Sequence, residues 1–271
     1  SGLFSAKAAH FSGGPLTGAE TNWNVSVRPG HFRPKGHDGY TFGFWTPWWD
    51  RSGSYTAPAR HSFSGKTDSL GHHRLRVHFD TVNPPRTMSA VAKATIVDIN
   101  RQSWTSSSSI VVHPSNYYVG MKTDRYFVKR GLPMKVSVIV SDLDGNLVEG
   151  TGAQLEAVRL EHKWKRDESG QWKMETKRKD PQTCTLTSGT KAGVCEFKTK
   201  VGGKYEIVAK VKDGNGRSNQ SRMMRWVSGA KAPATRKIEQ EQVMLIPDKK
   251  VYEPGDVAEV LIQSPIQSAE G

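Results

Sequence analysis

Two cysteines, Cys184 and Cys195, are the residues whose type and spacing speak most directly of chemistry. The stretch between them, T-L-T-S-G-T-K-A-G-V, reads as two strand ends around a Gly-rich turn. Facing hairpin positions bring Cβ atoms close enough for a bridge. The alternative is a pair of buried free thiols. A bridge closing a loop of about ten residues stabilises by roughly 2–3 kcal/mol in the chain-entropy picture, and it implies an oxidising compartment. A metal pair at this spacing would need His nearby.

Other constellations are weaker. Seven of the nine His precede residue 80. His61, His72, His73 and His78 can be drawn as a zinc site, but no carboxylate or Cys completes the set. Ser64-Gly65-Lys66-Thr67 resembles the end of a phosphate loop, yet Arg60 stands where that motif needs Gly. There is no G-x-S-x-G elbow and no H-E-x-x-H. No catalytic residue, metal site or cofactor is expected, and the chain is read as a non-enzyme.

Two surfaces offer recognition instead of catalysis. The run Tyr40-Thr-Phe-Gly-Phe-Trp-Thr-Pro-Trp-Trp49 lies in a long irregular stretch, 28–66. Trp45, Trp48 and Trp49 form either an exposed contact surface or a cap folded onto their own sandwich. The hairpin 159–179 carries Lys163, Trp164, Lys165 and Arg166, with further Lys and Arg on the returning strand. Basic residues among aromatics can hold polyanions. Here Arg159, Glu161, Lys163 and Lys165 alternate with Leu160, His162 and Trp164, so a solvated face opposite a packed face is the simpler reading.

The elements around these residues are strands. The net charge is +13 with eight Trp, and no apolar run approaches the roughly 20 residues of a membrane span. The basic excess lies before residue 231 and serves solubility; no nucleic-acid partner is expected. In the first part, two strands flank the turn Gly13–Gly18. Others follow around Leu75–Phe79, Ser89–Val97 and Ser106–Val112. In the second part, strands are expected at 117–122, 134–141, 153–164, 171–179, 182–186, 194–200, 203–211 and 221–227, with Gly- and Asp-rich turns between them. Strand after strand without helical periodicity predicts an all-β chain of tandem antiparallel β-sandwiches. The divisions are 1–112, lacking its N-terminal strands; 113–230, complete; and 231–271, a linker and the first strands of a third unit. No export signal opens the chain; one would lie upstream.

The chain also repeats itself. Asp124–Gly131 (D-R-Y-F-V-K-R-G) matches Asp248–Gly255 (D-K-K-V-Y-E-P-G), and each precedes an alternating run. Gly14–Ala19 resembles Gly145–Ala153, and Asp98–Arg101 resembles Asp213–Arg217. Landmarks in one order at domain-sized spacing predict copies of one fold.

These stretches resemble a known family. I-P-D-K-K-V-Y-E-P-G-D-V-A-E-V-L-I-Q-S-P (246–265), Y-V-G-M-K-T-D-R-Y-F-V-K-R-G (118–131), E-H-K-W-K-R (161–166), F-S-G-G-P-L-T-G-A-E-T-N-W (11–23) and D-I-N-R-Q-S-W (98–104) are similar to macroglobulin-like domains of bacterial-type alpha-2-macroglobulins. By order they resemble domains three to five. The resemblance implies fibronectin type III-like sandwiches in a large protease-trapping inhibitor. There, cleavage of a bait segment triggers closure around the protease, and in many members a Cys–Gln thioester captures it. It also implies a periplasmic or otherwise extracytoplasmic location, a membrane link only through a lipid anchor outside this stretch, and two classes of partner: target proteases of the full-length protein and neighbouring macroglobulin-like domains. Cys184 lies in Q-T-C-T-L-T, without a thioester motif, and no bait segment is legible. Two other readings stand beside this one: a cell-surface adhesion array of immunoglobulin-like modules, and a polyanion-binding module working through hairpin 159–179.

Overall fold

The computed structural model describes residues 1–45, 57–229 and 243–263. The described backbone is all strand and turn, and it separates into two compact units. Unit 1 comprises Ser1–Phe32 and Ser52–Pro114, and unit 2 comprises Arg33–Arg51 and Ser115–Gly271, of which only the described residues are discussed.

Unit 1 contains β1 (Gly2–Lys7), β2 (Glu20–Pro29), β3 (Ala59–Lys66), β4 (His72–Val77), β5 (Met88–Val97) and β6 (Ser103–Val112). They form an antiparallel pair, β1-β4, and an antiparallel sheet in the order β3-β2-β5-β6. Alternation drives the packing. Trp23 and Val25 of β2, Ala90, Ala92 and Ala94 of β5, and Phe4, Leu75 and Val77 of the pair turn inward as one core. The expected hairpin around Gly13–Gly18 is instead a crossing between sheets, because β1 pairs with β4 while β2 pairs with β3 and β5.

Unit 2 contains β7 (Tyr118–Lys122), β8 (Phe127–Val128), β9 (Met134–Ser141), β10 (Gly152–Arg166), β11 (Trp172–Thr187), β12 (Gly193–Phe197), β13 (Gly203–Lys212), β14 (Ser218–Val227), β15 (Met244–Pro247) and β16 (Val260–Gln263). One sheet runs β11-β10-β13-β14-β8, with β8 parallel to β14. The second runs β12-β9-β7, and β15 pairs with β16. Their inner faces meet in a core that includes Val119, Met121, Val136, Leu155, Phe197, Ile207 and Met223. The two strands expected at 171–179 and 182–186 are one strand. Asp180 turns through a positive φ of 52° within it, and Pro181 is tolerated because β11 is an edge.

The units share a topology. β1-β4 corresponds to β9-β12, and β3-β2-β5-β6 to β11-β10-β13-β14. The correspondence reaches single hydrogen bonds. Gly18 N–H donates to Thr67 O and Ala19 N–H to Thr67 Oγ1; Gly150 N–H donates to Ser188 O and Thr151 N–H to Ser188 Oγ. Both glycines hold positive φ, 72° and 71°, which a Cβ would strain. The structure aligns Gly13 (φ 98°) with Gly145 (φ 100°), one residue from the match read in sequence. The other repeat holds too: Gly131 (φ 93°) and Gly255 (φ 95°) close the same turn, with Leu132 N–H on Lys129 O and Asp256 N–H on Glu253 O.

Candidate functional site

The disulfide is present. Cys184 of β11 and Cys195 of β12 are joined, with Cα atoms 6.0 Å apart. The expected hairpin geometry is corrected, however: β11 and β12 belong to opposite sheets, so the bridge crosses the sandwich. Cys195 is fully buried in the core and Cys184 packs against it. The stretch between them must change sheets, which a Gly-rich sequence permits as readily as a hairpin.

The described part of the aromatic stretch belongs to unit 2, so the fold-back onto its own sandwich is not found. Thr41 and Met121 exchange backbone hydrogen bonds (2.8 and 3.0 Å), Arg222 N–H donates to Gly43 O (2.8 Å), and Trp45 N–H donates to Arg222 O (2.8 Å). Phe42 rests on Gly120, where an added Cβ would lie 2.6 Å from its ring. Trp45 is half-buried; its ring stacks on Tyr126 at 5.7 Å, meets Trp226 edge-on at 6.4 Å, and lies under the Arg225 guanidinium at 5.1 Å. Trp48 and Trp49 fall outside the described residues.

Arg225 is a buried charge of this region, 3% exposed. Its guanidinium donates to Thr123 Oγ1 and to Met224 O (2.7 Å) and also faces the Tyr126 ring. Burial pulls its pKa down to about 10, so it remains charged at neutral pH. Beside it is a cavity of about 260 Å³ whose lining includes Lys122, Arg125, Asp248 and Lys249. Asp248 is 1% exposed. Its Oδ1 accepts from Tyr252 OH (2.7 Å) and Glu259 N–H (3.1 Å), and Arg125 Nε stands 3.9 Å from its Oδ2. Burial raises the Asp248 carboxyl, but these hydrogen bonds and Arg125 outweigh it and hold the pKa below the usual range. The aromatic and ionic contacts tie 33–45, the β7–β8 region and β15–β16 into one body.

The 159–179 hairpin carries the remaining predicted site residues. β13 pairs with β10 only as far as Leu160↔Lys204, while β10 and β11 continue together to Arg166↔Trp172. Beyond Leu160 the hairpin is therefore a two-stranded ribbon. Lys163, Lys165 and Arg166 are exposed on it; Lys165 pairs with Glu175 at 3.1 Å, and Arg166 covers the Trp172 ring at 5.3 Å. The expected packed face fades toward the tip: Leu160 and His162 are half-buried, whereas Trp172 and Met174 on the returning strand are 42% and 51% exposed. The side chain of Trp164 is outside the described residues.

Among the described residues no group of three or more His, Cys, Asp or Glu gathers as metal ligands would. His73 instead accepts the Trp23 indole N–H at its Nδ1, 2.9 Å away.

Missed by sequence reading was Asp213, which ties its own turn to the segment before β7. Its carboxylate accepts the N–H groups of Asn116, Asn215 and Arg217 and the Arg217 guanidinium, at 2.9–3.0 Å. Burial pushes its pKa up, but those bonds prevail and lower it to about 2. The Asp-x-Asn turn was legible as a repeat landmark; its bond to Asn116, 97 residues away, had no local signal.

Comparison with known proteins gives a consistent likeness. No protein-family model matches the chain. An alpha-2-macroglobulin homolog from Nostoc sp. is 26% identical over 274 aligned residues, covering 98% of this chain and 14% of the relative. A circularly permutated Ras protein 2 from Dictyostelium discoideum is 28% identical over 54% of this chain and 4% of that protein. Among solved structures, the native conformation of Escherichia coli alpha-2-macroglobulin covers 97% of this chain with TM-score 0.57 at 16% identity, using 17% of its own length. The trypsin-activated form from Escherichia coli gives TM-score 0.55 at 17% identity, again over 97% of this chain and 18% of its own. The chain thus spans about a seventh of the length of the Nostoc relative.

Proposed function

Starting from a chain that resembles bacterial alpha-2-macroglobulins in sequence and fold over nearly its whole length, we propose that it is a scaffold portion of a large protease-trapping inhibitor. The carrying observation is the extent of the match: 98% of this chain aligns to 14% of its relative. Tandem sandwiches, one of them cross-linked internally by a disulfide, suit a frame, which holds bait and capture elements lying elsewhere in the full-length protein.

In this reading the chain divides into macroglobulin-like units at 1–112, 113–230 and 231–271. It inhibits nothing alone, performs no catalysis and sits in an extracytoplasmic compartment, with any lipid anchor outside it. Activation of the related Escherichia coli protein by trypsin supports proteases as partners of the full-length protein.

The candidate contact surface is the ribbon tip, Lys163 to Arg166, facing neighbouring domains. Its exposed cations favour a second reading as a polyanion site. Retention on heparin that is unchanged by charge reversal at Lys163, Lys165, Lys177 and Arg178 would count against that reading.

The test of the main proposal is the mass and fraction of the natural gene product. A species several times larger than 30 kDa in an extracytoplasmic fraction is expected. A product near 30 kDa would leave no room for bait or capture machinery and would favour the adhesion-array reading.

A further inference from the structure

Unit 2 has a strand for which the described residues of unit 1 show only the space. β7 runs antiparallel along β9, with Val119 opposite Val140 and Met121 opposite Val138. Both Val119 and Met121 are fully buried. β14 secures β7 from the other sheet: Asn219 Oδ1 accepts Val119 N–H at 3.2 Å, and Ser221 Oγ donates to Val119 O at 2.6 Å.

The same positions can be read in unit 1. Ala8 N–H donates to Gly71 O and Ala8 O accepts from Leu16 N–H; Val140 O accepts equivalently from Val148 N–H. Ala6 and Ala8 therefore stand for Val138 and Val140. On β6, Trp104 pairs with Ile96 as Asn219 pairs with Val211, so Trp104, Ser106 and Ser108 stand for Asn219, Ser221 and Met223. Those three residues of unit 2 are buried, whereas Trp104 is 56% exposed and both serines are exposed. Among the described residues β1 has a ladder neighbour on one side, β4. Between the other edge of β1 and the face of β6 lies a cavity of about 590 Å³, lined by residues including Phe4, Ala6, Ala8, Ala92, Ile96 and Trp104.

An open edge beside an apolar groove is a template for one more strand. We propose that this groove seats a further strand of the same polypeptide, antiparallel to β1 and preceding it in the full-length chain. Two observations select this occupant. β7 precedes β9 in unit 2, so the same connectivity puts the missing strand ahead of β1. The match to the Nostoc relative uses 14% of that protein, so a relative carries the corresponding stretch within a much longer polypeptide. The proposal rests on the reading of this chain as part of a longer protein.

The register follows from the pairing of β7 with β9. The incoming strand sets one inward side chain opposite Ala6 and another opposite Ala8. Both are apolar, and both are larger than Met121 and Val119, because Ala6, Ala8 and Ala92 replace Val138, Val140 and Ile207. Strand alternation, counted from the Ala8–Gly71 bond, turns the N–H groups of Ser5 and Lys7 toward the newcomer. Ser106 takes the part of Ser221 and bonds its backbone.

The test labels the thiol introduced by Ser106→Cys with a maleimide, in the 271-residue chain and in the full-length protein. Lys93→Cys, exposed on β5, serves as the reference position. Sites that must open before reacting are protected in proportion to the opening equilibrium, so labelling at position 106 is expected to be at least about tenfold slower in the full-length protein. Equal labelling in both overturns the proposal. So does protection in the 271-residue chain that grows with its concentration, because a second copy would then fill the groove. Hydrogen exchange on the unsubstituted proteins is the second measurement. Slow Ser5 and Lys7 amides in the full-length protein alone are expected; fast exchange there contradicts the proposal. Neither readout depends on protease inhibition, so the groove can fail while the trapping function stands, and the reverse.

Discussion

The two units solve one architectural problem with different chemistry. At the position where unit 2 places Cys195, unit 1 places Leu75; each is buried in its core. One layer further, the large and small partners trade places. In unit 1, His73 fills the space above Gly65, held there by the Trp23 indole. In unit 2, Leu186 fills the space above Gly193, where an added Cβ would meet it at 3.0 Å. The topology tolerates either arrangement because total volume is what the layer must conserve. A covalent link in unit 2 thus stands against a hydrogen-bonded aromatic in unit 1.

The comparison breaks most visibly in the core. Ile207→Ala should cost unit 2 about 3 kcal/mol by chemical denaturation, since Ile207 is fully buried among packed neighbours. Its counterpart is Ala92, on the wall of the unit 1 cavity. In the 271-residue chain Ala92→Ile should cost less than about 1 kcal/mol, below the usual overpacking penalty of about 1–3 kcal/mol. A similar penalty at both positions would mean that the groove is not a void.

Next in size is the disulfide. Its 11-residue separation predicts a loss of about 2–3 kcal/mol on Cys184→Ser with Cys195→Ser. The loss should appear in the unfolding of unit 2 alone, followed by exchange of β12 and β13 amides, with β4 and β5 unchanged.

The smallest contrast is between two equivalent turns. Asp98 and Asp213 both accept two backbone N–H groups of their own turn; only Asp213 is buried and bonded to Asn116. Asp213→Ala should cost about 2 kcal/mol and Asp98→Ala less than about 1 kcal/mol. The sign with pH is fixed by the depressed pKa. Asp213 contributes fully above its ordinary range near 4, and the contribution is lost as pH falls through about 2. An acid titration of unit 2 stability that the Asp213→Asn variant leaves unchanged would refute this.

What was legible in the sequence was the alternation. β5, β9 and β13 were readable because one face is buried and period two is visible in the residue types. β3 was not, because all but one of its residues are exposed and A-R-H-S-F-S-G-K has no apolar face to betray it. β8 is two residues long, too short for any period. Pairing was less legible than strand position. Around Gly13–Gly18 and between the cysteines, turn residues signal a reversal but not whether it stays in one sheet. The Cys184–Cys195 pairing was readable, its crossing of the sandwich was not. Trp45 stood out by type, yet its docking on Tyr126 and Arg225 depends on contacts 80 or more residues away, which no local pattern encodes.

The most direct test of the scaffold account is a protease assay with two substrates of different size. The full-length protein and the 271-residue chain are each mixed with trypsin, and cleavage of a small peptide and of a large protein is followed. The account predicts that the full-length protein leaves peptide cleavage largely intact while suppressing cleavage of the large substrate, and that the 271-residue chain alters neither. Suppression by the 271-residue chain alone, or no size discrimination by the full-length protein, would contradict it.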